Sequence, residues 1–168
     1  DPATTEAQYM QVIHKKTAVL FAAAAEGAAI LAGADTITRR AMRDYGLHLG
    51  LAFQLIDDVL DYTGDPAVMG KNLGDDLAEG KPTLPLIRAL TTATPERASV
   101  VHEAILQRNA TRLADVSETV RLCGALEYTT ERAKMHRDRA MEALGGLTAS
   151  PFRDNLLQIA ELSVARQG

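Results

Sequence analysis

Between Leu47 and Asp61 the chain reads Leu-His-Leu-Gly-Leu-Ala-Phe-Gln-Leu-Ile-Asp-Asp-Val-Leu-Asp, an apolar run closed by three aspartates, Asp57, Asp58 and Asp61. At about 3.6 residues per turn, Gln54, Asp57, Asp58 and Asp61 share one stripe of a helix. Leu51, Ala52, Leu55, Ile56, Val59 and Leu60 occupy the rest of its circumference. A helix apolar on most sides has to be surrounded by other elements, so this stretch belongs inside a helical bundle. The carboxylates then crowd a narrow face, where like charges at i,i+4 repel by about 0.2–0.5 kcal/mol. Gly64 is the expected helix stop, which also puts the acids near the negative end of the helix dipole. A bound cation removes both penalties. Clustered oxygen ligands suit a hard divalent ion, which points to Mg²⁺ and a phosphorylated substrate. The plainer alternative is a solvated acidic face. Phe53 and Leu60 border the same face and predict partial burial, and partly buried carboxylates need a counter-charge.

The rest of the chain reads as helix nearly throughout. Thr4 or Thr5 can cap a helix running to about Gly33, with a bend possible at Lys15-Lys16-Thr17. Asp35 or Thr36 then caps the long helix that reaches about Tyr62. Residues 64–82 are rich in glycine and charge and read as a loop, with one helical turn at Gly74–Ala78. Further helices are expected from Thr83 to Ala93, with Pro85 in the first turn, and from Pro95 to Gln107. Others follow from Arg112 to Cys123 and from Leu126 to Leu144, and the last runs from Ser150-Pro151 to about Arg166. The last helix shows an apolar face at Leu156, Ile159, Ala160 and Val164. No segment sustains strand alternation, and no polar linker separates two domains. The expectation is one all-α domain over residues 1–168.

Composition narrows the partners. A net charge of −4 gives no broad electrostatic footprint for nucleic acid. The longest apolar stretch, Ala18 to Ala34, is interrupted by Glu26 and Gly27 and dominated by alanine. It suits a closely packed bundle helix better than a membrane span, which wants about 20 strongly apolar residues. Cys123 is the single cysteine, so no internal disulfide is possible. It reads as a buried, inert thiol in a reducing compartment, and with no secretory pattern at the start a cytoplasmic protein is expected. Asp1-Pro2-Ala3-Thr4-Thr5 resembles a turn entering a helix more than a native start, so a piece of a longer chain is expected.

Lys71 and Lys81 each follow a glycine in the loop beyond the aspartates. Taken alone they are ordinary surface lysines. Next to a carboxylate cluster that could hold Mg²⁺ they become candidate diphosphate ligands, and Asp75 and Asp76 could pair with them or hold the loop. Lys16-Thr17 begins an apolar helix, where a charged rim at a bend is the simpler account. His14, His48, His102 and His136 are scattered without metal-ligand spacing and carry no expected role. Serine hydrolase, thiol protease, P-loop and dinucleotide patterns are absent.

Phe53-Gln54-Leu55-Ile56-Asp57-Asp58-Val59-Leu60-Asp61 resembles the second aspartate-rich motif of the trans-isoprenyl diphosphate synthases. Gly70-Lys71 and the run from Asp76 through Gly80-Lys81-Pro82-Thr83-Leu84-Pro85-Leu86 resemble the segment that follows it, and Lys16-Thr17 resembles the family's Lys-Thr pair. The likeness is to the long-chain bacterial branch, of octaprenyl diphosphate synthase type. It implies an isoprenoid-synthase-type helical bundle around a central cavity, of which this chain is the C-terminal part. It also implies joining isopentenyl diphosphate to an allylic diphosphate, with Mg²⁺ as cofactor, to give a long prenyl chain such as serves quinone side chains. By resemblance, Asp57, Asp58 and Asp61 hold Mg²⁺, Asp57 most directly. Lys16, Lys71 and Lys81 contact the allylic diphosphate. Thr17 and Gln54 line the site near the reacting carbons, and Phe53 walls the isopentenyl pocket. A homodimer is implied as well.

The departure from the family is the absence of a second Asp-Asp-x-x-Asp anywhere in these residues, together with the basic cluster that precedes the Lys-Thr pair in the family. A chain with one motif is expected to be inactive alone and to leave helix faces uncovered. A non-catalytic subunit of a heteromeric prenyl synthase is the alternative, although such subunits tend to lose the aspartates kept here. A terpene cyclase would share the cavity logic but not the Gly-Lys loop or the Lys-Thr pair.

Overall fold

The protein was described from a computed structural model, which covers residues 1–63 and 73–165. The expected helix stop at Gly64 and the loop lysine Lys71 lie outside the described residues. Among the described residues every regular element is helical. Helix α1 (Glu6–Ile13) opens with reciprocal capping. The Thr5 N–H donates to Gln8 Oε1 at 2.9 Å, and the Gln8 N–H donates to the Thr5 hydroxyl oxygen at 3.3 Å. The bend expected at Lys15-Lys16-Thr17 is a π-helical turn, His14–Ala18, in which the Val19 N–H reaches back to the His14 carbonyl. Helix α2 (Val19–Leu31) follows and ends where Gly33 takes a φ of +70°. There the Gly33 N–H donates to Ile30 O and the Ala34 N–H to Ala29 O, each at 3.0 Å, which satisfies the last carbonyls.

Helix α3 (Thr36–Thr63) is 28 residues long, about 42 Å at 1.5 Å per residue. Asp35 caps it, its Oδ1 accepting from the Thr38 N–H at 2.7 Å. The short α4 (Asp75–Ala78), α5 (Leu84–Thr92), α6 (Pro95–Gln107), α7 (Leu113–Leu122), α8 (Ala125–Ala143) and α9 (Pro151–Ala165) complete the series. Prolines sit in the first turns of α5 and α6, where a missing N–H costs nothing. Ser150 caps α9, accepting from the Arg153 N–H at 3.2 Å.

The chain divides into two compact units. One is built from Asp1–Met10 and Asp57–Thr130, the other from Gln11–Ile56 and Glu131–Arg166. In the first, Tyr62, Leu77, Leu86, Ala89, Val101, Ile105, Val116 and Val120 form the core, so α5 is buried on nearly every side by α6 and α7. In the second, Tyr45 and Leu49 of α3 pack with Ala140 and Leu144 near the end of α8, Ala160 of α9 and Phe21 of α2. The close backbone approach expected of α2 depends on glycines of α3. A Cβ at Gly46 would lie 2.4 Å from the Phe21 carbonyl oxygen, and one at Gly50 would lie 2.8 Å from the Ala18 Cα.

Two expectations are corrected. Ile159 is 48% exposed, and α9 turns Ala160 and Ser163 inward instead. The buried side follows the steps from Leu157 to Ala160 and Ser163, and Ile159 falls off it. Cys123 is half-buried, and its Sγ lies 3.6 Å from the Val120 carbonyl oxygen. Position 123 follows the end of α7, where the chain turns at Gly124 with a φ of +71°, so the thiol sits at the core's edge. Among the described residues, no helix is long and apolar enough to cross a membrane.

Candidate functional site

The aspartates close α3 and are held by the first unit. Asp58 and Asp61 are each 1% exposed, whereas Asp57 is half-buried. The Tyr9 hydroxyl of α1 donates to Asp58 Oδ2 at 2.5 Å. Asp61 is tied to the start of α4. Its Oδ2 accepts from the Asp76 N–H at 3.2 Å, and its carbonyl accepts from the Gly74 N–H at 3.0 Å. Gly74 has a φ of +77°, and a side chain there would strike Leu113, so glycine is what lets the chain fold back onto Asp61. Lys81, beyond α4, donates to Asp76 Oδ1 at 2.5 Å.

This is a field of carboxylates, and its neighbours register it. Burial pushes the Tyr9 phenol well above its ordinary range, and Asp58, Asp76 and Asp57 push it further. Tyr62 is raised chiefly by burial, then by Asp61 and Asp76, with the nearby Thr83 hydroxyl opposing weakly. Both phenols therefore stay protonated, and Tyr9 serves as a donor to Asp58. Burial opposes the charge on Lys81, but the hydrogen bond and charge of Asp76, helped by Asp58 and Glu79, outweigh it and the ammonium is raised above its usual range.

Hard oxygen donors of this kind fit a divalent ion of the magnesium type. Among the described residues, no three carboxylates or imidazoles converge tightly enough to enclose an ion unaided.

A second group of expected residues lies in the other unit. The Thr17 hydroxyl, in the π turn, donates to Gln54 Oε1 of α3 at 3.0 Å. One turn earlier on α3, Gly50 meets Ala18, so the missing side chain at 50 lets Thr17 come within reach of Gln54. Phe53 packs against Phe21, ring centroids 5.6 Å apart and tilted by 41°. Lys16 is exposed in the same π turn.

Sequence reasoning missed Tyr9. It is the aromatic residue on the inner side of α1, four positions before the buried Ile13, but nothing local names a partner 49 residues away. It also missed a pair of histidines. His48 Nδ1 and His136 Nδ1 are 3.0 Å apart, with the rings stacked at 5.2 Å. His136 is buried and its Nε2 has no hydrogen-bond partner. One ring donates its Nδ1–H and the other accepts, as the tautomers dictate.

Residues 1–123 match the family model of polyprenyl synthetase. The chain belongs to the polyprenyl synthetase family. It is 48% identical to the octaprenyl diphosphate synthase of Escherichia coli (strain K12), over 99% of this chain and 52% of that protein. Its structure resembles a polyprenyl synthase from Caulobacter crescentus CB15 complexed with calcium and isoprenyl diphosphate. That likeness has a TM-score of 0.95 at 42% identity, covering all of this chain and 52% of the other. A geranylgeranyl pyrophosphate synthase from Corynebacterium glutamicum, complexed with isoprenyl diphosphate and magnesium, matches with a TM-score of 0.88 at 31% identity, over 96% of this chain and 47% of the other. The fold is the all-α isoprenoid-synthase fold. The chain spans about half the length of the curated relatives it matches.

Proposed function

We propose that this chain carries the second aspartate-rich half of a trans-polyprenyl diphosphate synthase, which extends an allylic diphosphate with isopentenyl diphosphate. The observation that carries the reading is the anchored carboxylate group at the end of α3. Asp58 and Asp61 are fixed by Tyr9 and the Asp76 N–H, and Lys81 stands beside Asp76. Mg²⁺ bound there supplies charge neutralisation for the departing diphosphate. Asp57, Asp58 and Asp61 would hold the ion, Asp57, the more accessible carboxylate, most directly. Lys81, with Lys16 and Lys71, draws the allylic diphosphate by its phosphate charge. The allylic carbon–oxygen bond breaks with its electron pair leaving on the diphosphate. The isopentenyl double bond then forms the new carbon–carbon bond, and loss of a proton restores the alkene. Preorganised positive charge at the leaving group lowers that barrier. Thr17 and Gln54, which hydrogen-bond each other, would help stabilise the developing cation, and Phe53 would wall the isopentenyl side.

The same reading proposes a long product of octaprenyl type, a homodimer in the cytoplasm, and an inactive chain when the first aspartate-rich motif is missing. The test is an assay of the full-length protein with labelled isopentenyl diphosphate, farnesyl diphosphate and Mg²⁺, followed by product sizing. Asp57→Ala should lower turnover by orders of magnitude with helix content unchanged. Near-normal product from that variant removes the metal role of Asp57.

A further inference from the structure

We propose that Tyr9 is a positioning residue for the divalent-ion site, acting through Asp58; this rests on the reading of the aspartates as the metal-binding group. Asp58 is the middle carboxylate of the trio and is almost fully removed from solvent. A carboxylate in that setting needs a strong donor to hold its charge and fix its plane. Tyr9 supplies one. Its hydroxyl meets Asp58 Oδ2 at 2.5 Å, the length of a charge-assisted O–H···O⁻ bond. The phenol ring is itself buried, at 5% exposure, so its packing sets the hydroxyl beside Asp58. The bond joins α1 to the end of α3 across a sequence separation of 49 residues. The orientation of the middle carboxylate is therefore set from outside the aspartate helix.

Partners that orient metal-binding groups usually matter about 10- to 100-fold in metal affinity or activity. Tyr9→Phe keeps the ring and its packing and removes only the donor. In the full-length protein, the Mg²⁺ concentration giving half-maximal rate should rise about tenfold or more, and so should the Kd for Mg²⁺ measured by calorimetry in the presence of inorganic pyrophosphate. The KM for isopentenyl diphosphate at saturating Mg²⁺ should stay within about twofold. In an Asp58→Asn background the same substitution should add no further loss, because the hydroxyl then has no carboxylate to orient.

Three outcomes overturn the assignment. One is a Tyr9→Phe enzyme with the wild-type Mg²⁺ midpoint, whether or not its melting temperature falls. Another is a loss that adds in full to that of Asp58→Asn. The third is a wild-type enzyme whose rate ignores divalent ions, which removes the metal reading itself and this proposal with it. Comparing the wild-type titration with the variant's tells these failures apart.

Discussion

Asp58 and Asp61 are nearly sealed from solvent, while Asp57, one position before Asp58, is not. Three like residues thus differ in their surroundings: Asp58 and Asp61 are buried against Tyr9 and the Asp76 N–H, and Asp57 is half-buried. The aspartates themselves were legible in the sequence, because acids on a mostly apolar helix conflict with burial and the conflict calls for a cation. The division was not legible, since it depends on Tyr9 and the Asp76 N–H, which arrive from distant or turned segments. The histidine pair was hidden for the same reason, its members being 88 positions apart. It has a pH consequence. Burial lowers His136 to about 4, with His48, Arg139 and Arg132 adding to the effect. Burial and Arg139 lower His48, while Asp44 and Glu142 oppose them. Unfolded histidine titrates near 6.5, so between roughly pH 6.5 and 4 the unfolded chain binds the extra proton and the folded one does not. The contribution of the pair is complete above about pH 6.5 and is lost as the pH falls toward 4. Urea unfolding of the wild type should weaken across that window more steeply than that of His136→Phe. Parallel curves for the two proteins would refute the depressed imidazole.

At the scale of elements, most boundaries could be read because caps are local. Thr5 with Gln8, Asp35, and Ser150 before Pro151 all start helices where a side chain reaches a backbone N–H. The bend at Lys15-Lys16-Thr17 was legible as a break in polarity, but its π geometry was not. A close approach to α2 was expected from its alanines; that its neighbour is α3, and that the α3 glycines make the approach possible, was not legible. Glycine is normally unfavourable in a helix by about 1 kcal/mol relative to alanine. Gly50→Ala should nevertheless lower the melting temperature, because its methyl would lie 2.8 Å from a backbone Cα that cannot yield. Gly27→Ala is the control. A Cβ there meets nothing within 4 Å, so it should raise stability by about 0.5–1 kcal/mol. Thermal unfolding followed by circular dichroism separates the two, and a stabilised Gly50→Ala would contradict the close approach.

For the whole molecule, one missing motif and two specific present ones told which family to expect, and the family match agrees. Which surfaces stay uncovered could not be told, because that depends on how each helix is rotated about its axis. Leu20 is 67% exposed and Leu31 is 90% exposed, with Val12, Ile30 and Ile37 also open to solvent. An apolar surface of this kind favours association. The chain of 168 residues should self-associate with rising concentration, and Leu20→Glu with Leu31→Glu should shift it toward monomer without loss of helix. Sedimentation velocity over a concentration series measures this. A wild type that stays monomeric throughout would show that these leucines need no cover.

The π turn at residues 14–18 carries one residue more than an α-helix of the same span would hold. A continuous rod could lose that residue and still be drawn as a helix, but all that precedes it would be turned by about 100° around the axis. Deleting a residue at Lys15, Lys16 or Thr17 would therefore shift whole faces at once, where a substitution touches only a single side chain.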